Sequence, residues 1–195
     1  MAKYLLFSLV ALLLTACGSD SSDTYVPKPK AYPRFDLPTP VYTLIEPTHP
    51  YQFEYNKAAR ILRDTFPNAE PHWIFINYPA FHASVQLTYK PVWNDVNRLR
   101  GMLEDSYKLA ARHNIKAYAI EQRTIKLKSG LEASLIDLSG EVPSQVQFVT
   151  TDSTNHFLRG ALYFNIATRN DSLQPVIQYI RKDVLHLLNT LRWRQ

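Results

Sequence analysis

Asp152, Ser153 and His156 are the residue types of a hydrolase triad, set in one polar run from Thr150 to His156. In a triad the serine attacks a carbonyl, the histidine takes its proton and the carboxylate orients the imidazole. The base must therefore lie between nucleophile and carboxylate in space, an arrangement usually assembled from separate loops. Neither a Gly-x-Ser-x-Gly elbow nor a glycine-rich oxyanion loop accompanies the run. Ser, Thr, Asn and Asp bond readily to neighbouring backbone, so the run reads as a loop or short helical turn between two strands, capped by Asp152 or Ser153. Asp152, Ser153, Thr154 and His156, with Arg159 just beyond, form the candidate interaction surface. No catalytic residue is expected.

Six histidines raise the question of a metal, but no two stand at the i, i+4 spacing of helical ligands. His72 and His82 flank the clearest hairpin. Folding about Pro79 sets His82 opposite Ile76 and His72 opposite Gln86, about 13 Å apart along the sheet at ~3.3 Å per residue. Zinc, with Zn–N bonds of about 2.0–2.1 Å, does not bridge that gap. None of the five glycines forms a phosphate loop, so no metal and no cofactor is expected. Glu104 and Asp105 adjoin on a helix and read as solvated, while Trp73 and Trp93 read as core or rim packing. Paired acids for glycoside hydrolysis need only meet in space, so spacing leaves them open.

The single cysteine, Cys17, ends the run Leu14-Thr15-Ala16-Cys17. Before it, Tyr4 to Leu14 is an apolar stretch of about 11 residues, too short to span a bilayer, which needs about 20. A lysine at position 3, a short apolar core and small residues at its end describe an export signal. Leu-Thr-Ala-Cys resembles the bacterial lipobox, in which a diacylglyceryl group joins the thiol and cleavage falls just before it. The expected organisation is a lipoprotein signal peptide over 1–16, a lipidated cysteine with a flexible, Pro-rich tether over 17–31, and a globular domain over 32–195. Pro27-Lys28-Pro29-Lys30 reads as polyproline II, and the tether reaches roughly 40 Å at ~3.1 Å per residue. Two or more acyl chains, at about 0.8 kcal/mol per buried methylene, anchor stably where one is marginal.

The chain is 46% hydrophobic and 12% aromatic, enough for a packed core without a disulfide. Its formal charge of +5 comes from scattered basic residues. For an exported protein that pattern points to anionic lipid headgroups or an acidic partner rather than to nucleic acid, and its plainest reading is a set of solvated faces.

Nine of the thirteen prolines fall between Pro27 and Pro71, which excludes long helices there. Short strands are expected over Tyr32–Leu37, Val41–Ile45 and Gln52–Tyr55, with Ala58–Arg63 open between strand and helical turn. Phe81, Ala83, Val85, Leu87 and Tyr89 alternate with polar residues, the period of a half-buried antiparallel strand paired with His72–Tyr78. A helix over about Asp95–Arg112 starts at Asn94 or Asp95 and turns Val96, Leu99, Leu103, Tyr107 and Ala110 inward. Lys116–Lys128 and Glu132–Leu138 form a hairpin through Ser129-Gly130. Gln145–Thr150 and Leu158–Ile166 add strands. A last helix, capped by Asp171 or Ser172, carries Leu173, Val176, Ile177, Ile180, Val184, Leu187, Leu188 and Leu191 on one face. Together these predict a single α+β domain, an antiparallel sheet of about six to eight strands with two long helices packed on it.

Several longer blocks are similar to a known family. Tyr25 to Pro38, Leu87 to Val92, Glu104 to Ala110, Thr151 to Asn165 and Asp171 to Val176 resemble motifs of the GldD gliding motility lipoproteins, in order along the mature chain. Ala31-Tyr32-Pro33 departs from the expected glycine and aromatic. The resemblance implies a lipid-anchored, non-enzymatic component or assembly factor of the gliding machinery, linked with type IX protein secretion. Its partners would be a membrane, held through the N-terminal diacylglyceryl-cysteine on the periplasmic side, and other envelope proteins; no small-molecule substrate is implied. The alternative is an envelope lipoprotein that binds or hydrolyses peptidoglycan or another glycan.

Overall fold

The computed structural model describes residues 34–112, 117–165 and 170–194, without the side chains of Asn170 and Asp171. The expected signal peptide, lipobox with Cys17, and tether lie outside the described residues.

Among the described residues eleven strands and two long helices follow in the order β1 (Tyr42–Leu44), β2 (Tyr51–Gln52), β3 (Glu54–Asn56), β4 (Arg60–Arg63), β5 (Ile74–Tyr78), β6 (Ala83–Pro91), α1 (Val96–Ala111), β7 (Ala117–Lys126), β8 (Glu132–Gly140), β9 (Val146–Thr151), β10 (His156–Phe164), α2 (Asn170–Thr190) and β11 (Arg192–Trp193). Seven of them form one antiparallel sheet in the order β4-β5-β6-β10-β9-β8-β7. Two meanders meet in its centre. The first ends on β6; α1 then carries the chain to the far edge, and the second returns strand by strand until β10 pairs with β6. The architecture is α+β, as the pattern of elements predicts.

The period of two assigns the faces. Ile76, Val85, Leu158, Leu162, Phe148 and Leu135 point to one side and bury against Val176, Ile180, Val184, Leu187 and Leu188 of α2. Full burial of one such side chain contributes about 1.5–3 kcal/mol, so this layer holds the domain. The opposite face is only partly covered. There Leu99, Met102 and Leu103 of α1 pack on Val92, Val149 and Phe157, and Ala110 on Ile136, Leu138 and Val142. Asp95 caps α1, its carboxylate accepting from the Asn97 and Arg98 amides.

A buried carboxylate ties the N-terminal segment to this frame. Asp183 of α2, 4% exposed, accepts from the Tyr42 hydroxyl at 2.8 Å, the Asn56 amide at 2.9 Å and the Tyr78 hydroxyl at 3.0 Å. Three donors from three elements replace the water lost on burial, which an unpaired carboxylate would not tolerate.

Several local expectations need correction. The described part of Tyr32–Leu37 joins no ladder; Pro38 and Pro40 have no N–H to donate there. Gln52–Tyr55 is divided at Phe53 into β2, which pairs with β11, and β3, which pairs with β1. A 3-10 turn at Pro79–Phe81 shifts the hairpin, so Ile76 faces Val85 rather than His82. Val96 and Tyr107 are 65% and 42% exposed, and Ser106 is buried instead. Ser106 fits inside because its hydroxyl donates to the Met102 carbonyl one turn back. Asp171 and Ser172 fall within α2 rather than before it.

Candidate functional site

The polar run forms a tight loop from β9 to β10. Asp152 Oδ1 accepts the backbone amides of Thr154, Asn155 and His156 at 3.0, 2.8 and 2.8 Å. Ser153 takes a left-handed conformation, φ 67°, and its amide donates to Thr151 Oγ1 at 2.9 Å. Burial pushes the Asp152 carboxyl up, but the three amides outweigh it and hold the group below its ordinary value. Asp152 is thus a capping residue for the loop backbone.

His156 sits beside it in a packed wall. Its Nδ1 meets the Tyr89 hydroxyl at 2.9 Å, its Nε2 stands 3.9 Å from Asp152 Oδ2, and its ring stacks on Trp193. Burial lowers the pKa of His156, partly offset by Asp152, so the ring is neutral at pH 7. A proton on Nε2, toward Asp152, leaves Nδ1 to accept from Tyr89. Asp152, His156 and Tyr89 form a row, and Ser153 hydrogen-bonds to neither side chain. The triad residue types are present without triad geometry.

Arg159 does not share this environment. It lies three residues beyond His156 on the same strand, so the pleat sends it through the opposite face, where its Nη2 donates to Gln147 Oε1 at 2.7 Å. The loop brings together Asp152, Ser153, Thr154 and His156 and separates them from Arg159.

The wall around His156 extends through residues distant in the chain. His49 stacks on Tyr51 with centroids 5.1 Å apart, and its Nδ1 lies 3.3 Å from that of His72. His72, φ 68°, is held by the Tyr51 hydroxyl bonded to its carbonyl, and its ring meets the edge of Tyr89. Nothing local announces the His49–His72 pair or Trp193, because the contacts join segments that only the fold makes neighbours. His82 stands at the other end of the hairpin. Among the described residues no three His, Cys, Asp or Glu side chains gather closely enough to hold a metal ion.

The loop also leans on the corner before α1. The Val92 amide donates to the Asn155 carbonyl and the Asn94 amide to that of Thr154, while Trp93 and Asn94 both have positive φ. Trp93 is 69% exposed, with the Arg98 guanidinium 4.2 Å from its ring. An exposed tryptophan therefore borders the exposed tip of the loop.

Fold and site define an α+β domain with one antiparallel sheet between two helices, a backbone-locked polar loop at one end and one face partly open. The chain belongs to the gliding motility lipoprotein GldD family, whose model matches residues 22–193. It is a motility-related, membrane-anchored lipoprotein of the cell envelope. No curated protein matches the chain. Among solved structures it is similar to the solution structure of cyanobacterial PsbP (CyanoP) from Synechocystis sp. PCC 6803, at 11% identity and a TM-score of 0.46 over 83% of this chain and 97% of that one. Among the described residues no helix is long and apolar enough to cross a membrane.

Proposed function

We propose that the protein is a non-enzymatic component or assembly factor of the gliding machinery, linked to type IX protein secretion. A diacylglyceryl group on Cys17 holds it to the membrane, and the domain faces the periplasm at the end of its Pro-rich tether. The loop tip at Ser153–Asn155, with Trp93 and Val96 beside it, is the surface offered to another envelope protein. Tryptophan is among the residues enriched at the energetic centres of such contacts.

The observation that carries this reading is the state of Asp152. Its Oδ1 is committed to three backbone amides, and His156 is wedged between Tyr89 and Trp193. A peptidoglycan or glycan hydrolase would need these groups free to meet a substrate.

The test compares two variants in a strain lacking the chromosomal gene. Asp152→Asn keeps an oxygen that can cap the loop, and it should restore spreading and type IX cargo export. Trp93→Ala should restore neither while leaving the protein's level unchanged. Loss of spreading in Asp152→Asn at normal protein level, with Trp93→Ala active, would overturn the proposal in favour of a reacting carboxylate.

A further inference from the structure

The two faces of the sheet are finished differently. α2 seals one, whereas on the other a groove of about 610 Å³ remains between α1 and strands β6 and β10, within the ~300–1,000 Å³ typical of small-molecule sites. Arg159, 8% exposed, lines it. Its Nη2 bonds to the neutral Gln147 side chain, and among the described residues no carboxylate pairs with its guanidinium. A guanidinium carries five N–H donors, and a buried charge without a counter-charge is costly. Gln147 Nε2, buried beside it, also finds no acceptor.

The groove's mouth carries a second signal. Gly101 lies on its rim in the middle of α1, where glycine costs roughly 0.5–1 kcal/mol relative to alanine. No close approach explains it, since an added Cβ would meet nothing within 4 Å. A side chain there would narrow the opening.

The other charges place the binding end. Lys90 is paired with Glu70, and Arg98 is engaged with Trp93 and the Pro91 carbonyl. Asp105, on the helix side, repels an anion toward Arg159. Trp73, Met102, Leu109 and Phe157 supply apolar wall. In the other large groove, by contrast, Arg123 and Arg181 are both paired with Asp137.

We infer that this groove binds a small organic carboxylate, its carboxyl group on Arg159 and its apolar body along α1. The planar guanidinium fork fits a carboxylate in two parallel hydrogen bonds. This goes beyond the function proposed above, which requires no small ligand.

Calorimetric titration of the purified full-length chain tests it, with 4-phenylbutyrate as probe and 4-phenylbutanol and inorganic phosphate as comparisons. The butyrate should bind saturably, with the alcohol and phosphate each weaker by at least about tenfold, the equivalent of one charge-assisted contact. Arg159→Met should lose binding by a similar factor. Gly101→Phe, which leaves Arg159 and the core untouched, should lose it with circular dichroism unchanged. The inference is overturned if the butyrate does not saturate, if alcohol or phosphate binds as well, or if Gly101→Phe, folded, binds like the wild type.

Discussion

Trp193 stacks on His156 with ring centroids 4.9 Å apart and planes within 10° of parallel. The contact fastens β11 to the strand that leaves the polar loop, while β11 itself pairs with β2 through Trp193 and Tyr51. The N-terminal segment, the loop and the end of the chain thus share one small wall of rings.

Removing that keystone should weaken the whole fold. Trp193→Ala uncovers His156 and strips β11 of its packing; the expected cost is about 2–3 kcal/mol, below the ~3–5 of a fully buried tryptophan because Trp193 is partly exposed. Urea denaturation of the full-length chain measures it. An unchanged midpoint would mean that β11 contributes nothing to the fold.

Acidification should act on the same wall. Burial holds His156 and His49 below the ordinary histidine value of 6.5. A base with its folded pKa below its unfolded one binds fewer protons when folded, so stability rises with pH between the two values. The contribution is complete above about pH 6.5 and is lost as pH falls through the folded values. His156→Gln should flatten part of that slope in denaturation measured from pH 7.5 to 5. Asp152 and Asp137, both held below the ordinary carboxylate value, add a separate loss at lower pH.

Gly160 has a packing role that no other residue can fill. It pairs across the sheet with Phe148, whose ring occupies the space a Cβ at 160 would need. Gly160→Ala should cost about 1–3 kcal/mol through overpacking. Phe148→Leu in the same background should recover part of the loss in thermal melts. Additive losses in the double variant would break the link.

The anchor predicts a distribution rather than a stability. On the proposed lipidation, Cys17→Ala removes the acceptor thiol, so the protein should leave the membrane fraction, or accumulate unprocessed, and gliding should fail. Metabolic labelling with an alkyne fatty acid, followed by cell fractionation, reads both outcomes. Label on the alanine variant would locate the lipid elsewhere.

Much of the frame is legible from the chain itself. The alternation from Phe81 to Tyr89 and the apolar stripe from Leu173 to Leu191 name the buried faces of β6 and α2, because local geometry alone sets periods of two and 3.6. Asn94 and Asp95 announce the start of α1 for the same local reason, and Asp95 is the one that caps it. His156 and Arg159 group in one surface only if the strand starts at Leu158, as the sequence suggests; it starts at His156, and the pleat then sends the two to opposite faces. Leu14 to Cys17 reads as a lipobox because such a signal is a short linear pattern that needs no fold.

Tertiary structure decided what these faces meet. β6 pairs with β10 rather than with β7, the strand that follows it in the chain, and Asp183 gathers donors from Tyr42, Asn56 and Tyr78. Periodicity also proposed Val96 and Tyr107 for the inner side of α1, but the sheet accepted Leu99, Met102 and Ser106. A local pattern specifies which side of an element is apolar; the partner that covers it follows from packing over distances of tens of residues. The sequence by itself therefore determined most of the elements and most of their inward sides. Only the closed core determined that Asp152 caps a loop, that His156 stacks on Trp193, and that Arg159 is buried with a neutral partner beside an open groove.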